Sequence, residues 1–279
     1  MKRYPIVFSI APSYCTGGAG IQADIKTISA LGAYAATAVT AIIDKTYTLE
    51  STSFVIPNDI IEHQIESVME GIWPDVVKIG QITDVETAKI IANCLRKYHP
   101  EYVVYDPILK TVTNQQIVDD DSIRAINNEL FPFTNLVILN FYEAEIMTGI
   151  KINDKEKLRE VAKKLSEKYQ IPFFLKGSDI GEEEQTYDVL YIPDGENWEY
   201  IAPKLGNVSL FGASATFSTA IASYLALGYE LNIAVMKSRE FLTEAIQRGK
   251  DIIIGHGSIH PICHTWNPVK MQVYGQPIN

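Results

Sequence analysis

Short, almost unbroken apolar runs rich in β-branched and aromatic residues recur along the chain, and most are followed by a longer amphipathic stretch. The runs lie at residues 6–10, 37–43, 76–79, 102–105, 136–139, 173–175 and 189–192. Helical periodicity occupies 20–31, 59–70, 84–97, 122–129 and 154–169, and two further helical stretches, 215–227 and 231–248, follow one another directly. A strand with one wet face alternates apolar and polar residues, whereas a run apolar throughout needs cover on both sides. The intervening helices supply that cover. The pattern predicts an α/β fold with a mostly parallel central sheet and helices on both faces. No repeat, low-complexity tract or Pro/Ser-rich linker breaks it, so residues 1–279 are expected to form one domain.

Composition narrows the partners. A chain 47% hydrophobic and 21% charged suits a large core rather than disorder. The formal charge of −10 argues against nucleic acid, which needs clustered Lys and Arg. It also repels a nucleotide at long range, so any phosphate site must rely on helix N-termini, backbone N–H groups, a few lysines and a bound cation. No apolar run approaches the roughly 20 residues that cross a bilayer, and residues 6–10 read as a buried first strand rather than the core of a signal peptide. Cys15, Cys94 and Cys263 are scattered and odd in number, which points to a reducing, cytoplasmic setting without disulfides. The acidic clusters at 119–121 and 182–184 read as solvated loops.

In open sheets of this kind ligands sit beyond the carboxyl ends of the strands, so the segments that follow strands are the candidate site. Directly after the first run comes Ser13-Tyr14-Cys15-Thr16-Gly17-Gly18-Ala19-Gly20-Ile21-Gln22-Ala23-Asp24. Its glycines permit a sharp turn and close approach of a ligand at a helix start, and they equally suit a tight strand-to-helix connection. Its spacing is neither a dinucleotide fingerprint nor a Walker A loop. Tyr105-Asp106-Pro107 offers an acidic residue that can hold a cation or begin a turn. Asn140 and Glu143 can aim a carboxamide and a carboxylate at hydrated Mg²⁺, or close a capping box. Lys176-Gly177 follows another strand and can place an ammonium near phosphates or simply be exposed. Gly212-Ala213-Ser214-Ala215 opens a helix of small residues, a position that offers free N–H groups and a positive dipole end as well as close packing. Gly255-His256-Gly257, His260 and His264 read as a structured C-terminal loop rather than as metal ligands.

The order of these segments is more specific than any one of them. Residues 17–27 and 30–34, then Val77-Lys78-Ile79-Gly80, Asp106-Pro107, Asn140-x-x-Glu143-Ala144-Glu145, Lys176-Gly177 and Gly255-His256-Gly257, resemble the hydroxymethylpyrimidine/phosphomethylpyrimidine kinases in their family order. That family is ribokinase-like and includes some bacterial pyridoxal kinases. The resemblance implies ATP- and Mg²⁺-dependent transfer of the γ-phosphoryl to a hydroxymethyl group on an aromatic nitrogen heterocycle, in thiamine biosynthesis or vitamin B6 salvage. It further implies a homodimer. By the same resemblance Pro12, Gly20, Asp24, Lys45 and Gln81 face the heterocycle, and Asn140, Lys176 and Gly177 face ATP. Asp106 and Glu143 organise Mg²⁺, and Gly212, Ala213, Ser214 and Ala215 form the anion hole.

Departures fall at the centre of that pattern. The family's usual Gly-Thr-Gly-Cys or Gly-Thr-Gly-Asp is Gly212-Ala213-Ser214-Ala215 here, so the residue associated with activating the substrate hydroxyl has no proton acceptor. Ser214 replaces a glycine and is expected to crowd an incoming phosphate or to forbid the required φ. Tyr14 and Cys15 replace Asp and Pro, Pro12 a Gly, Lys45 a Gln and Gln81 a Met. Lys45 and Gln81 add polar donors, which implies a ligand more anionic than hydroxymethylpyrimidine. Two functions follow: a kinase with a modified anion hole, or a catalytically silent relative that binds a heterocycle or nucleotide as a sensor or partner.

Overall fold

The structure, a computed structural model, describes residues 3–45, 51–109, 116–177, 180, 184–193, 195–206, 208, 210–254 and 261–274. In chain order the elements are β1 (Ile6–Tyr14), α1 (Gly20–Ala30), β2 (Tyr34–Lys45), β3 (Ser51–Val55), α2 (Asn58–Gly71), β4 (Val76–Ile79), α3 (Val85–Tyr98), β5 (Val103–Tyr105), α4 (Asp120–Leu130), β6 (Leu136–Asn140), α5 (Phe141–Thr148), α6 (Lys155–Tyr169), β7 (Phe173–Gly177), β8 (Gln185–Tyr191), β9 (Asn197–Pro203), α7 (Ala213–Ala226) and α8 (Leu231–Gly249). They build one nine-stranded sheet in the order β3-β2-β1-β4-β5-β6-β7-β8-β9. The central strands β2, β1, β4, β5, β6 and β7 are parallel, and β3, β8 and β9 join antiparallel at the two sides.

The apolar runs are buried on both faces, as their composition requires. Phe8, Ile10, Val103 and Tyr105 pack towards α2, α3, α4, α5 and α6, while Val7, Val76 and Val104 pack towards α1, α7 and α8. Successive residues of one strand thus feed two separate cores. β3, β9 and α5 are the elements that the apolar periodicity did not expose. β9 alternates between exposed and half-buried residues, with Trp198 and Tyr200 half-buried and Glu199 between them exposed, so it carries no continuous apolar run. α5 follows β6 without a break, and only its capping pair marks it in the sequence. The acidic cluster at 119–121 is not a loop throughout: Asp119 caps α4 by accepting from the N–H groups of Asp121 and Ser122.

One charged group lies deep inside this scaffold. Lys78, on β4 between Val77 and Ile79, points to the α1/α7 side and is fully buried. Its Nζ donates to both oxygens of Asp24 of α1, at 3.2 and 3.0 Å. Ser9 of β1 and Thr219 of α7 also donate to that carboxylate, the latter at 2.6 Å. A buried ion pair survives only where its remaining lone pairs and protons are satisfied, and these hydroxyls do so. Four elements are tied to one carboxylate.

The C-terminal segment closes over the same side. Val269 and Gln272 donate their N–H groups to the carbonyls of Ala30 and Gly32. His264 is buried, with Nε2 3.0 Å from the hydroxyl of Thr216 in α7. Burial, helped by the charge of Lys26, pushes the His264 imidazole down to about 4.

Two outcomes follow. Lys78→Met strands the Asp24 charge and should cost about 3–5 kcal/mol in urea unfolding, whereas Asp24→Leu combined with Lys78→Met should recover most of the loss. Because His264 is neutral in the fold but titrates near 6.5 when unfolded, the unfolded chain takes the proton first. Its contribution is therefore intact above about pH 6.5 and is lost as the pH falls towards about 4. Urea unfolding of His264→Gln should show a flatter decline of stability over that window than the parent chain.

Candidate active site

The parallel strands all end at the same edge of the sheet, and this brings together residues scattered over most of the chain. β1 ends at Tyr14, β6 at Asn140 and β7 at Gly177, while Gly80, Gln81 and Asp106 follow β4 and β5 immediately. Asp106 donates its backbone N–H to Ile79, and Gly80 donates its own to Ile10, so the strand ends are locked side by side. α7 starts against this edge.

Gly212 caps α7 with φ +82°, and a Cβ there would lie 1.8 Å from the carbonyl oxygen of Gly18. Gly18 in turn abuts the ring of Phe211. The glycine-rich loop before α1 and the turn before α7 are therefore interlocked, and no larger residue fits at Gly212. Gly20 starts α1 with φ +56° and lies against the carbonyl of Pro12 and the ring of Tyr14. Pro12 itself sits where β1 shifts register against β2.

Ser214 lies in the first turn of α7, so its backbone is helical and the expected conformational conflict does not arise. Its hydroxyl joins two charges: Lys176 donates to Oγ at 2.6 Å, and Oγ donates to the Asp106 carboxylate at 2.9–3.0 Å. Ser218, one turn further on, donates to the same carboxylate at 2.8 Å. Asp106 is fully buried. Serines four apart share a helix face, and this pair converges on one acceptor. Ser218 was missed in the sequence, where its only signal was that spacing. Ala213 donates its N–H to Leu210, and Ala215 is buried with a methyl group where a base is expected.

Asn140 and Glu143 do form the capping box of α5. Asn140 Oδ1 accepts from the Glu143 N–H at 2.9 Å, and Glu143 Oε2 accepts from the Asn140 N–H at 2.8 Å. Oε1 accepts from the Leu109 N–H at 3.0 Å. Burial pushes the Glu143 carboxyl up, against the pull of Lys176, and Asp106 adds to the rise. Glu143 therefore feels the charges of both Lys176 and Asp106. Among the described residues no three His, Cys, Asp or Glu side chains converge as a closed metal cage. Two neighbouring carboxylates, each with lone pairs to spare, suit instead a hydrated cation shared with phosphates, the usual way Mg²⁺ is held.

Two expected residues sit elsewhere. Asp24 is enclosed by Ser9, Lys78 and Thr219 and presents no free face to a heterocycle. Gly177 donates its N–H to Asp188, whose carboxylate also pairs with Arg239, and a Cβ on Gly177 would meet the carbonyl of Tyr187 at 2.4 Å. That glycine serves strand packing. Lys45 ends β2, and its side chain lies outside the described residues, as do Gly255, His256, Gly257 and His260. Gln81 is buried and accepts a hydrogen bond from the hydroxyl of Tyr14.

Comparison with known proteins places the chain in a family. Residues 15–260 match the phosphomethylpyrimidine kinase family. A bifunctional thiamine biosynthesis protein of Geobacter sulfurreducens is 33% identical over 257 residues, which cover 92% of this chain and 52% of that protein. The chain spans about half the length of the first such curated relatives. The crystal structure of phosphomethylpyrimidine kinase from Clostridium difficile is 34% identical, with a TM-score of 0.76 over 86% of this chain and 99% of that one. Bacillus subtilis pyridoxal kinase, solved as an ADP complex, is 26% identical with a TM-score of 0.84 over 94% of this chain and 98% of that one. With the fold, the order of strand-end residues and the extent of the match in agreement, the chain belongs to the phosphomethylpyrimidine kinase family.

Proposed function

We propose that the chain is an ATP-dependent kinase that phosphorylates the hydroxymethyl group of an aromatic nitrogen heterocycle, either hydroxymethylpyrimidine and its monophosphate or a pyridoxal-type ring. The observation that carries this reading is the convergence of Asp106, Ser214 and Lys176 at the N-terminus of α7. Phosphoryl transfer needs positioning and charge neutralisation more than covalent chemistry, and this cluster offers both. Lys176 supplies a cation for the phosphates, beside Asn140. The first turn of α7, Gly212 to Ala215, supplies a positive dipole end and, apart from the Ala213 N–H that donates to Leu210, backbone N–H groups for the migrating phosphoryl. Asp106 and Glu143 would hold Mg²⁺, which when bound with the nucleotide would offset phosphate charge.

In this reading Ser214 must give up Lys176 when a nucleotide arrives, because the ammonium then turns to phosphate oxygens. Ala215 has no proton acceptor for the substrate alcohol. With Asp106 engaged by two hydroxyls and assigned to the cation, the alcohol proton would pass to an oxygen of the phosphoryl group, a substrate-assisted route. Asp24 becomes a positioning residue behind the pocket. The same proposal includes one kinase domain over residues 1–279, a homodimeric assembly and a cytoplasmic setting. The scattered, odd-numbered cysteines Cys15, Cys94 and Cys263 support the last.

Incubation with Mg-ATP and hydroxymethylpyrimidine, its monophosphate or pyridoxal should yield a phosphorylated product by mass spectrometry; clear binding without any product would mark a silent relative instead. Lys176→Ala should lower kcat by about 10²–10³-fold in the same assay, as loss of a charge-stabilising donor does. Ser214→Gly with Ala215→Cys should raise kcat by about 10²-fold, within the range contributed by general-base assistance. An unchanged rate would show that the turn works as it stands.

A further inference from the structure

Tyr14 and Gln81, two of the positions where this chain departs from the kinases it resembles, are bonded to each other. The Tyr14 hydroxyl donates to Gln81 Oε1 at 2.9 Å, although the two residues are 67 apart in the chain. Tyr14 is held on every side. Its backbone N–H donates to Gln22 Oε1 at 2.9 Å. Its ring meets Phe211 edge to face, with centroids 6.4 Å apart. Only a glycine at position 20 leaves room for that ring, since a Cβ there would lie 2.7 Å from Cδ2. Burial pushes the phenol upward from its ordinary value, so it stays a proton donor throughout the neutral range.

This arrangement fixes what the other half of the carboxamide can do. With Oε1 accepting from Tyr14, Nε2 keeps two N–H donors. Gln81 is only 6% exposed, yet among the described residues nothing accepts from Nε2. Nε2 is not cut off from solvent at this edge, so an incoming acceptor would take the place of water there. Gln81 follows β4, between the end of β1, which carries Tyr14, and the end of β5, which leads to Asp106. The donor therefore sits at the same edge as the phosphate cluster, one strand away.

We propose that Gln81, oriented by Tyr14, is a specificity-determining residue that donates from Nε2 to an oxygen on the substrate ring, selecting an oxo- or hydroxy-substituted heterocyclic alcohol over an amino-substituted one. The proposal rests on the reading that this edge receives the heterocycle. An exocyclic oxygen brings lone pairs to the donors, whereas an exocyclic amino group brings hydrogens against hydrogens. Hydrogen-bonding sites discriminate in this way because the wrong partner leaves buried polar groups unpaired. Methionine at this position, as in the relatives, would make no such distinction.

Calorimetric titration with hydroxymethylpyrimidine, whose ring bears an amino group, and with its oxo counterpart tests this directly. The parent chain should bind the oxo ring about tenfold more tightly, the equivalent of one good hydrogen bond. Gln81→Met should abolish the preference. Tyr14→Phe should weaken it, and Tyr14→Phe combined with Gln81→Met should lose no more than Gln81→Met alone, because both act through one carboxamide. Melting curves identify any variant that has lost its fold, and Gln81→Leu serves as a second apolar replacement. Equal affinities in the parent chain, a preference for the amino ring, binding of neither ring, a preference that survives Gln81→Met, or additive losses would each overturn the proposal. Turnover with Mg-ATP is read on the same samples. A retained oxo preference without turnover would sink the kinase reading alone, and turnover without the preference would sink this inference alone.

Discussion

The carboxylate of Asp24 and the ammonium of Lys78 face each other where neither can reach water. Isolated, either charge would be untenable at that depth; paired and ringed by Ser9 and Thr219, they hold α1, β1, β4 and α7 in one relative position. Those four elements carry the glycine-rich loop, Tyr14, Gln81 and the Gly212 turn. A small shift of any of them would separate Phe211 from Gly18, or Tyr14 from Gln81. A buried polar network of this kind adds little net stability compared with an apolar core, but it admits only one register of the parts around it. Its role here is to set the geometry of the sheet edge.

Upon that frame the site solves an electrostatic problem. On the kinase reading proposed above, a chain of net charge −10 would have to gather phosphate groups near two of its own carboxylates. Burial pushes the Glu143 carboxyl up and Lys176 opposes it, while the hydroxyls of Ser214 and Ser218 donate to Asp106. The positive elements are local and short-ranged: one ammonium, the opening of one helix and the cation that the paired carboxylates suit. Long-range attraction plays no part, so recognition depends on the fit of these few groups.

Substitutions that look like losses in the motif make structural sense together. Ser214 is not an obstruction in the backbone, because its position is helical; its hydroxyl takes up the space between Lys176 and Asp106. Tyr14 and Gln81, where the family pattern of the sequence analysis implies an acidic and an apolar residue, are hydrogen-bonded to each other. Ala215 is the exception. The structure shows a buried methyl group there and nothing nearby that changes to compensate at the same position.

Much of this protein was written locally. Apolar runs long enough to need two covered faces determined the parallel core and its helices, the positions just after those runs marked Asp106, Asn140 and Lys176 as neighbours, and the small-residue helix marked Gly212 at its start. Capping, too, was legible, since Asn140 and Glu143 are three residues apart in one helical turn. The strands β3 and β9 were not, because edge strands pair on one side only and need no continuous apolar run. Only the tertiary structure decided how each polar group is used. It withdrew Asp24 from the pocket into an ion pair with Lys78, turned Gly177 towards Asp188, brought Ser218 to Asp106 and joined Tyr14 to Gln81. The physical reason is that hydrophobic periodicity depends on a residue's own neighbours, whereas a hydrogen bond or ion pair depends on which distant strand ends are laid beside one another.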